Sequence, residues 1–171
     1  MKLLIASDIH GSAYWCEKLL ALAQQEQPDK LVLLGDVLYH GPRNDLPREY
    51  APKQVIAMLS QWADKILCVR GNCEAEVDQM VLPFPCMSTY SQLLVDGKTF
   101  FLTHGHHFSP DQLPALKEGD VFLYGHTHVK LDAMRDGVRC LNPGSVSIPK
   151  DGSHSCLLYE NEEFSFRILE E

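Results

Sequence analysis

No two of the six cysteines, at positions 16, 68, 73, 86, 140 and 156, stand at CxxC spacing. That excludes a zinc ribbon and a thioredoxin-type redox pair. An even count leaves a disulfide framework formally open. With 45% hydrophobic residues, however, the chain can build a core without one, so reduced thiols in the cytoplasm are expected. Long apolar runs are missing as well. "MKLLIASD" ends its short apolar run at Ser7 and Asp8, which is too brief for a signal peptide or a membrane span. Basic stretches are absent. Lys plus Arg total 15 against 23 for Asp plus Glu, a formal charge of −8 that argues against broad contact with nucleic-acid phosphates. It leaves room for a small anionic substrate, because bound metal ions can supply local positive charge. There is no internal repeat, low-complexity segment or linker, and the 171 residues read as one domain spanning 1–171.

What is present is a series of short apolar strands separated by helical patterns. "KLLIAS" and "KLVLLGD" read as buried strands and "KILCVRGN" as a third. Ser12 is placed to cap a helix over 13–26, with Trp15, Leu19, Leu22 and Ala23 at helical spacing. "KQVIAMLSQWA" reads as a second helix with Val55, Met58, Leu59 and Trp62 on one face. The second half turns to hairpins: Asp96-Gly97 and Asp136-Gly137 lie between β-prone runs, and a last turn falls near Asn161. "DVFLYG" adds another strand. The pattern predicts a layered α/β domain with a mixed sheet, or two sheets packed together.

Each strand runs into polar residues: "SDIHG", "LGD", "RGNC", "THGHH" and "YGHTH". In open α/β sheets, ligands bind beyond the C-terminal strand ends. Convergence of these ends would gather Asp8, His10, Asp36, Asn72, His104, His106, His126 and His128. Extended backbone would aim Asp8 and His10 to one side, and His126 and His128 likewise. Any one of these residues alone reads as a turn or cap, since polar strand ends are ordinary. Together they do not, because so many imidazoles and carboxylates buried without a cation would leave charges and lone pairs unpaired. A set of oxygen and nitrogen donors suits Mn, Fe, Zn, Co or Ni better than Ca or Cu(I). About seven ligands exceed one tetrahedral site, so two ions sharing a carboxylate is the economical arrangement.

The ordered series "DIH … GD … GN … H … GHTH", residues 8 to 128, resembles the calcineurin-like metallophosphoesterases. The resemblance implies an α/β metallophosphoesterase-type layered fold, with two packed mixed β-sheets flanked by helices. It implies two divalent ions, manganese foremost, with Asp8, His10 and His128 on the first, Asn72, His104 and His126 on the second, and Asp36 bridging. The implied activity is hydrolysis of a small phosphodiester through a metal-bridging hydroxide. The alternatives are a phosphomonoesterase on the same centre or a non-catalytic scaffold of the same fold. The resemblance also implies a homo-oligomer.

One departure bears on mechanism. Many members have "GNHD" or "GNHE", whose histidine donates a proton or stabilises the transition state. This chain has "GNCE", with Cys73 in that place. A thiol is the poorer acid, which predicts modest turnover and a preference for activated or phenolic leaving groups. Asn72, Cys73 and His106 are the candidate catalytic helpers. Arg43 and His40, in the loop "YHGPRN", are the candidate substrate contacts, Arg43 as a planar donor to phosphate. "NPGSVS", residues 142–147, resembles a family loop near the metals and is assigned no chemistry.

Overall fold

Strand length and turn chemistry account for most of the architecture. The computed structural model describes all 171 residues. Ten strands form two five-stranded sheets. The first has the order β10-β9-β1-β2-β3 and the second β4-β5-β6-β8-β7. In the first sheet β1 (Leu3–Ala6), β2 (Lys30–Leu33) and β3 (Ile66–Cys68) run parallel, joined by α1 (Ala13–Glu26) and α2 (Pro52–Ser60). In the second sheet β5 (Lys98–Thr103), β6 (Val121–Leu123) and β8 (Val138–Pro143) run parallel. Antiparallel hairpins complete both sheets: β4 (Tyr90–Val95) with β5, β7 (Lys130–Arg135) with β8, and β9 (Ser155–Glu160) with β10 (Glu163–Ile168). The three turns fall at Asp96-Gly97, Asp136-Gly137 and Asn161-Glu162, all in left-handed backbone. The sheets are therefore mixed, and the packed pair of sheets is the arrangement realised.

Alternation along β1 shows how two cores are built from one strand. Leu3 and Ile5 face the second sheet, among Val32, Leu34, Phe100, Leu102 and Leu123. Leu4 and Ala6 face the helices, among Trp15, Cys16, Leu19, Val55 and Leu59. Both faces are covered, so the strand carries no polar position until it ends. α1 begins where expected, with the Ser12 hydroxyl accepting from Trp15 N at 3.3 Å. α2 stops at Ser60, before Trp62, because Trp62 N turns back to Leu59 O at 2.9 Å. A short helix, α3 (Glu76–Val81), was not anticipated. Its six residues are too few to show periodicity. The helices do not flank both sheets equally. The outer face of the second sheet, with Phe101, Phe122 and Tyr124, is covered by Phe108, Leu113 and Leu116 of the 105–119 segment.

Candidate metal centre

The C-terminal ends of β1, β2, β3, β5 and β6 meet at one pole, and the polar residues that end them are in contact. Backbone bonds draw the loops together: Asp8 N donates to Gly35 O and His10 N to Asp36 O, at 3.1 and 2.9 Å. The loops are not extended, as the sequence pattern had implied. Asp8, His10, Asp36, His126 and His128 all adopt left-handed backbone, with φ of 60°, 47°, 53°, 66° and 60°. Those interstrand bonds force the turn. Asp8 and His10 still meet, but His126 and His128 diverge into different clusters.

In the first cluster His128 Nε2 is 3.1 Å, and His10 Nε2 3.4 Å, from Asp8 Oδ1. The two Nε2 atoms are 3.3 Å apart. Each ring is held by its other nitrogen: His10 Nδ1 donates to Tyr39 O at 2.7 Å and His128 Nδ1 to Ile148 O at 2.6 Å. With the proton fixed on Nδ1, both Nε2 lone pairs point at one another and at Asp8 Oδ1. Asp8 Oδ1 is correspondingly a buried oxygen without a hydrogen-bond partner, while Oδ2 accepts from His126 N at 3.0 Å.

The second cluster repeats this logic. His104 Nδ1 donates to Leu34 O at 2.7 Å. Its Nε2 then faces Asn72 Oδ1 at 3.1 Å, His126 Nδ1 at 3.2 Å and Asp36 Oδ2 at 3.3 Å. Asp36 Oδ1 is occupied by Cys73 N at 2.8 Å, so Oδ2 alone looks toward both clusters, 3.7 Å from His10 Nε2. Donor atoms that share an ion at about 2.1 Å stand about 3.0–3.4 Å apart, the spacing found in both clusters. Lone pairs at that spacing repel unless a cation lies among them, so the residues fit a divalent metal pair. Asp8–His10–His128, Asp8–Asp36–His104 and His10–Asp36–Cys73 each bring one donor atom apiece within 4.8 Å of each other. The first cluster is buried, whereas Asn72 and the half-buried His126 leave the second open to solvent.

The buried carboxylates and imidazoles shift one another's protonation. Burial alone would raise the Asp8 carboxyl, but the His10 and His128 imidazoles hold it well below the usual range. Asp36 is lowered likewise, its burial outweighed by His104. Burial would lower His104, yet Asp36 and Asp8 push it up to about 9. His10 also rises, Asp8 overcoming its burial. A metal bound to such a set would compete with these protons.

Several neighbours carry no ligand atom but hold the site. Glu74 is buried and bonds to Asp36 N, Val37 N and Gly71 N, tying the β2 loop to the β3 loop. Burial and the Asp36 charge raise its pKa. Gly71 sits so close that a Cβ there would lie 2.5 Å from Asp36 N. The "NPGSVS" loop has a part after all: the Ser145 and Ser147 hydroxyls donate to Asp8 O at 3.0 and 3.1 Å. Glu74 had a signal in its place three residues after Gly71. The serines had only the resemblance of their loop, being far from Asp8 in sequence.

A cavity of about 380 Å³ opens over the second cluster, lined by Asp36, Asn72, Cys73 and His126 together with Arg43 and Lys150. Lys150 was not singled out by sequence. It is placed by its N–H, which donates to His128 O at 2.9 Å. Cys73 is half-buried, and burial together with the Asp36 charge pushes its thiol far up, so it stays protonated. His40 is not among the lining residues. Its ring packs edge-on against Tyr39 and Tyr50, at 4.7 and 5.2 Å between centroids. His106 lies on the other side of Asn72, its ring 5.4 Å from that of His104. Burial and the neighbouring His104 charge lower it to about 4.

This fold and this pole define a class of protein. The profile of the calcineurin-like phosphoesterase superfamily domain matches residues 1–163, and the chain belongs to that family. It is 52% identical to the phosphodiesterase YfcE of Escherichia coli K12 over 153 residues, 90% of this chain and 83% of that protein. The solved structure of E. coli YfcE superposes with a TM-score of 0.93 at 45% identity, covering 99% of this chain and 100% of the other. The phosphodiesterase MJ0936 of Methanocaldococcus jannaschii is 26% identical over 177 residues, 99% of this chain and 98% of that one. The family implies divalent metal ions, and no helix is long and apolar enough to cross a membrane.

Proposed function

We propose that the chain is a phosphodiesterase that works with two divalent ions, manganese foremost. Asp8, His10 and His128 would hold one ion and Asn72, His104 and His126 the other, with Asp36 as the carboxylate shared between them. The observation that carries this reading is the inward aim of the Nε2 atoms of His10, His104 and His128, set by three Nδ1–H bonds to carbonyls, toward Asp8 Oδ1 and Asp36 Oδ2. The chemistry that bound ions would supply is a nucleophile from water near neutral pH and neutralisation of charge on the phosphoryl oxygens.

The chain's own residues do the rest. Asn72 turns Oδ1 to His104 and keeps Nδ2, now 3.3 Å from Cys73 Sγ, as a donor toward a phosphoryl oxygen. Arg43 and Lys150 add positive charge to the cavity wall, which orients an anionic substrate in a chain of net charge −8. Cys73 remains a thiol beside the phosphoryl group and is too weak an acid to protonate the leaving oxygen, which favours activated or phenolic leaving groups. His106, neutral at physiological pH, steadies the His104 ring edge-on, and His40 shapes the loop that carries Arg43. A cavity of this size takes a small diester and not an extended polynucleotide. All six cysteines are free, which supports a reducing compartment.

The test strips the metal and assays an aryl phosphodiester beside the matching monoester, with and without added Mn²⁺. Mn-dependent cleavage, faster on the diester, is expected. Faster monoester cleavage would make the chain a phosphomonoesterase. No turnover of either with two ions bound would make it a scaffold.

A further inference from the structure

Beside the polar cavity lies an apolar groove of about 330 Å³, bordered by Tyr39, Tyr50, Ile56, Val77 and Val81. The two hollows share one wall residue, Cys73. The groove is also built from the backbone that holds the metal centre: Tyr39 O receives His10 Nδ1 at 2.7 Å, and Cys73 N donates to Asp36 Oδ1 at 2.8 Å. The thiol of Cys73 is the wall between the hollows, and on the polar side Gly41 packs against it, where a Cβ would lie 3.1 Å from Cys73 Sγ. At its rim Tyr39, Val77 and Val81 are 42%, 57% and 43% exposed, whereas only one residue lining the polar cavity is hydrophobic. Apolar side chains left in water at the edge of a polar site cost free energy unless a ligand covers them. The volume lies at the lower end of small-molecule sites, enough for one substituted ring.

We propose that this groove is the subsite for the ester arm that stays on phosphorus, and that the preferred arm is aromatic or otherwise apolar. The proposal rests on the phosphodiesterase reading above. A diester seated at the metal pair has one arm that leaves and one that remains. With Arg43 and Lys150 on the polar side, the route across Cys73 leads the second arm into apolar surroundings. The wall residue that it shares with the reaction cavity, Cys73, distinguishes this groove from an ordinary surface hollow.

The experiment keeps the leaving group constant and varies the arm. Methyl and benzyl para-nitrophenyl phosphates have alcohol arms of similar electronic character, so a difference reports binding. On the Mn²⁺-loaded protein, kcat/KM for the benzyl ester is expected to exceed that for the methyl ester by about tenfold or more. The double substitution Val77→Ser with Val81→Ser should bring this ratio several-fold closer to one, while Met80→Ser should not. Met80 is on the same helix, 83% exposed and outside the groove. A wild-type ratio near one, or a ratio indifferent to the double substitution, overturns the proposal. If neither ester turns over, the phosphodiesterase reading fails separately, and calorimetry with benzylphosphonate and methylphosphonate decides the groove. Clearly tighter benzylphosphonate supports it, and equal affinities overturn it. Light scattering covers the other occupant: a dimer that the double substitution dissociates, with the ratio unmoved, would assign the face to a second copy of the chain.

Discussion

The hairpin turns and the metal-centre loops use the same unusual backbone for opposite reasons. Asp96, Asp136 and Asn161 have φ of 50°, 50° and 53°, close to the 47° to 66° of Asp8, His10, Asp36, His126 and His128. At the hairpins the conformation is a local matter. Both central residues of a two-residue turn need positive φ, and Asp and Asn tolerate it. At the centre it is imposed from outside, by loop-to-loop bonds and by the Glu74 carboxylate. Left-handed backbone at a non-glycine residue costs about 1–2 kcal/mol. At the hairpins the cost is answered within the turn, and at the centre by contacts across the whole pole.

The sharpest test of this contrast is chemical. Asp36→Asn should lower metal-dependent diester hydrolysis by a factor on the order of 10³ or more while circular dichroism stays unchanged. Near-normal activity would show that Asp36 does not bridge. Gly71→Ala tests the close approach of the loops. With a Cβ 2.5 Å from Asp36 N, it should cost about 3 kcal/mol, seen as a fall of about 6–12 °C in Tm. A change within error would mean that the loops separate freely.

A third test uses pH on the metal-free protein. His104 titrates above its usual 6.5, at about 9, in the folded chain. A raised histidine stabilises the fold fully below 6.5 and loses that contribution as pH rises through about 9. Unfolding free energies from urea titrations should therefore drop across this interval, by roughly 3 kcal/mol, and saturating Mn²⁺ should flatten the slope by replacing the proton. A flat metal-free profile would show that Asp36 does not hold His104 protonated. The smallest effect belongs to the hairpins. Glu162, at φ 63°, is the second turn residue where the other two hairpins have glycine. Glu162→Gly should raise stability by about 0.5–1 kcal/mol despite losing an exposed 3.5 Å ion pair with Lys98. Destabilisation instead would mean that the turn is strained for a tertiary reason, as the centre is.

The same contrast explains how much could be read in advance. The helix over 13–26, its Ser12 cap and all three hairpin turns were legible, because each depends on residues near one another in sequence. The polar residues that meet at the pole were legible too, because each of them ends or follows an apolar strand. The bend at Asp8 and His10 was not, since nothing within "SDIHG" calls for it and the bonds that impose it come from residues 35 and 36. Lys150 was silent for the same reason, and Ser145 and Ser147 were marked only by the resemblance of their loop, without a role. α3 was too short for its pattern to show, and the groove that it borders with Tyr39 and Tyr50 exists only once α2 and the β2 loop pack beside it.

By itself, then, the chain's order of residues determined most strands, the two longer helices, the turns and the polar residues at the strand ends. These follow from local sterics and hydrophobic period. Only the tertiary structure decided which nitrogen of each histidine faces inward. That depends on carbonyls of Leu34, Tyr39 and Ile148, far away along the chain, that take the other proton. It also decided that Asp36 keeps a single oxygen free between two clusters, because the competing oxygen is claimed by Cys73 N.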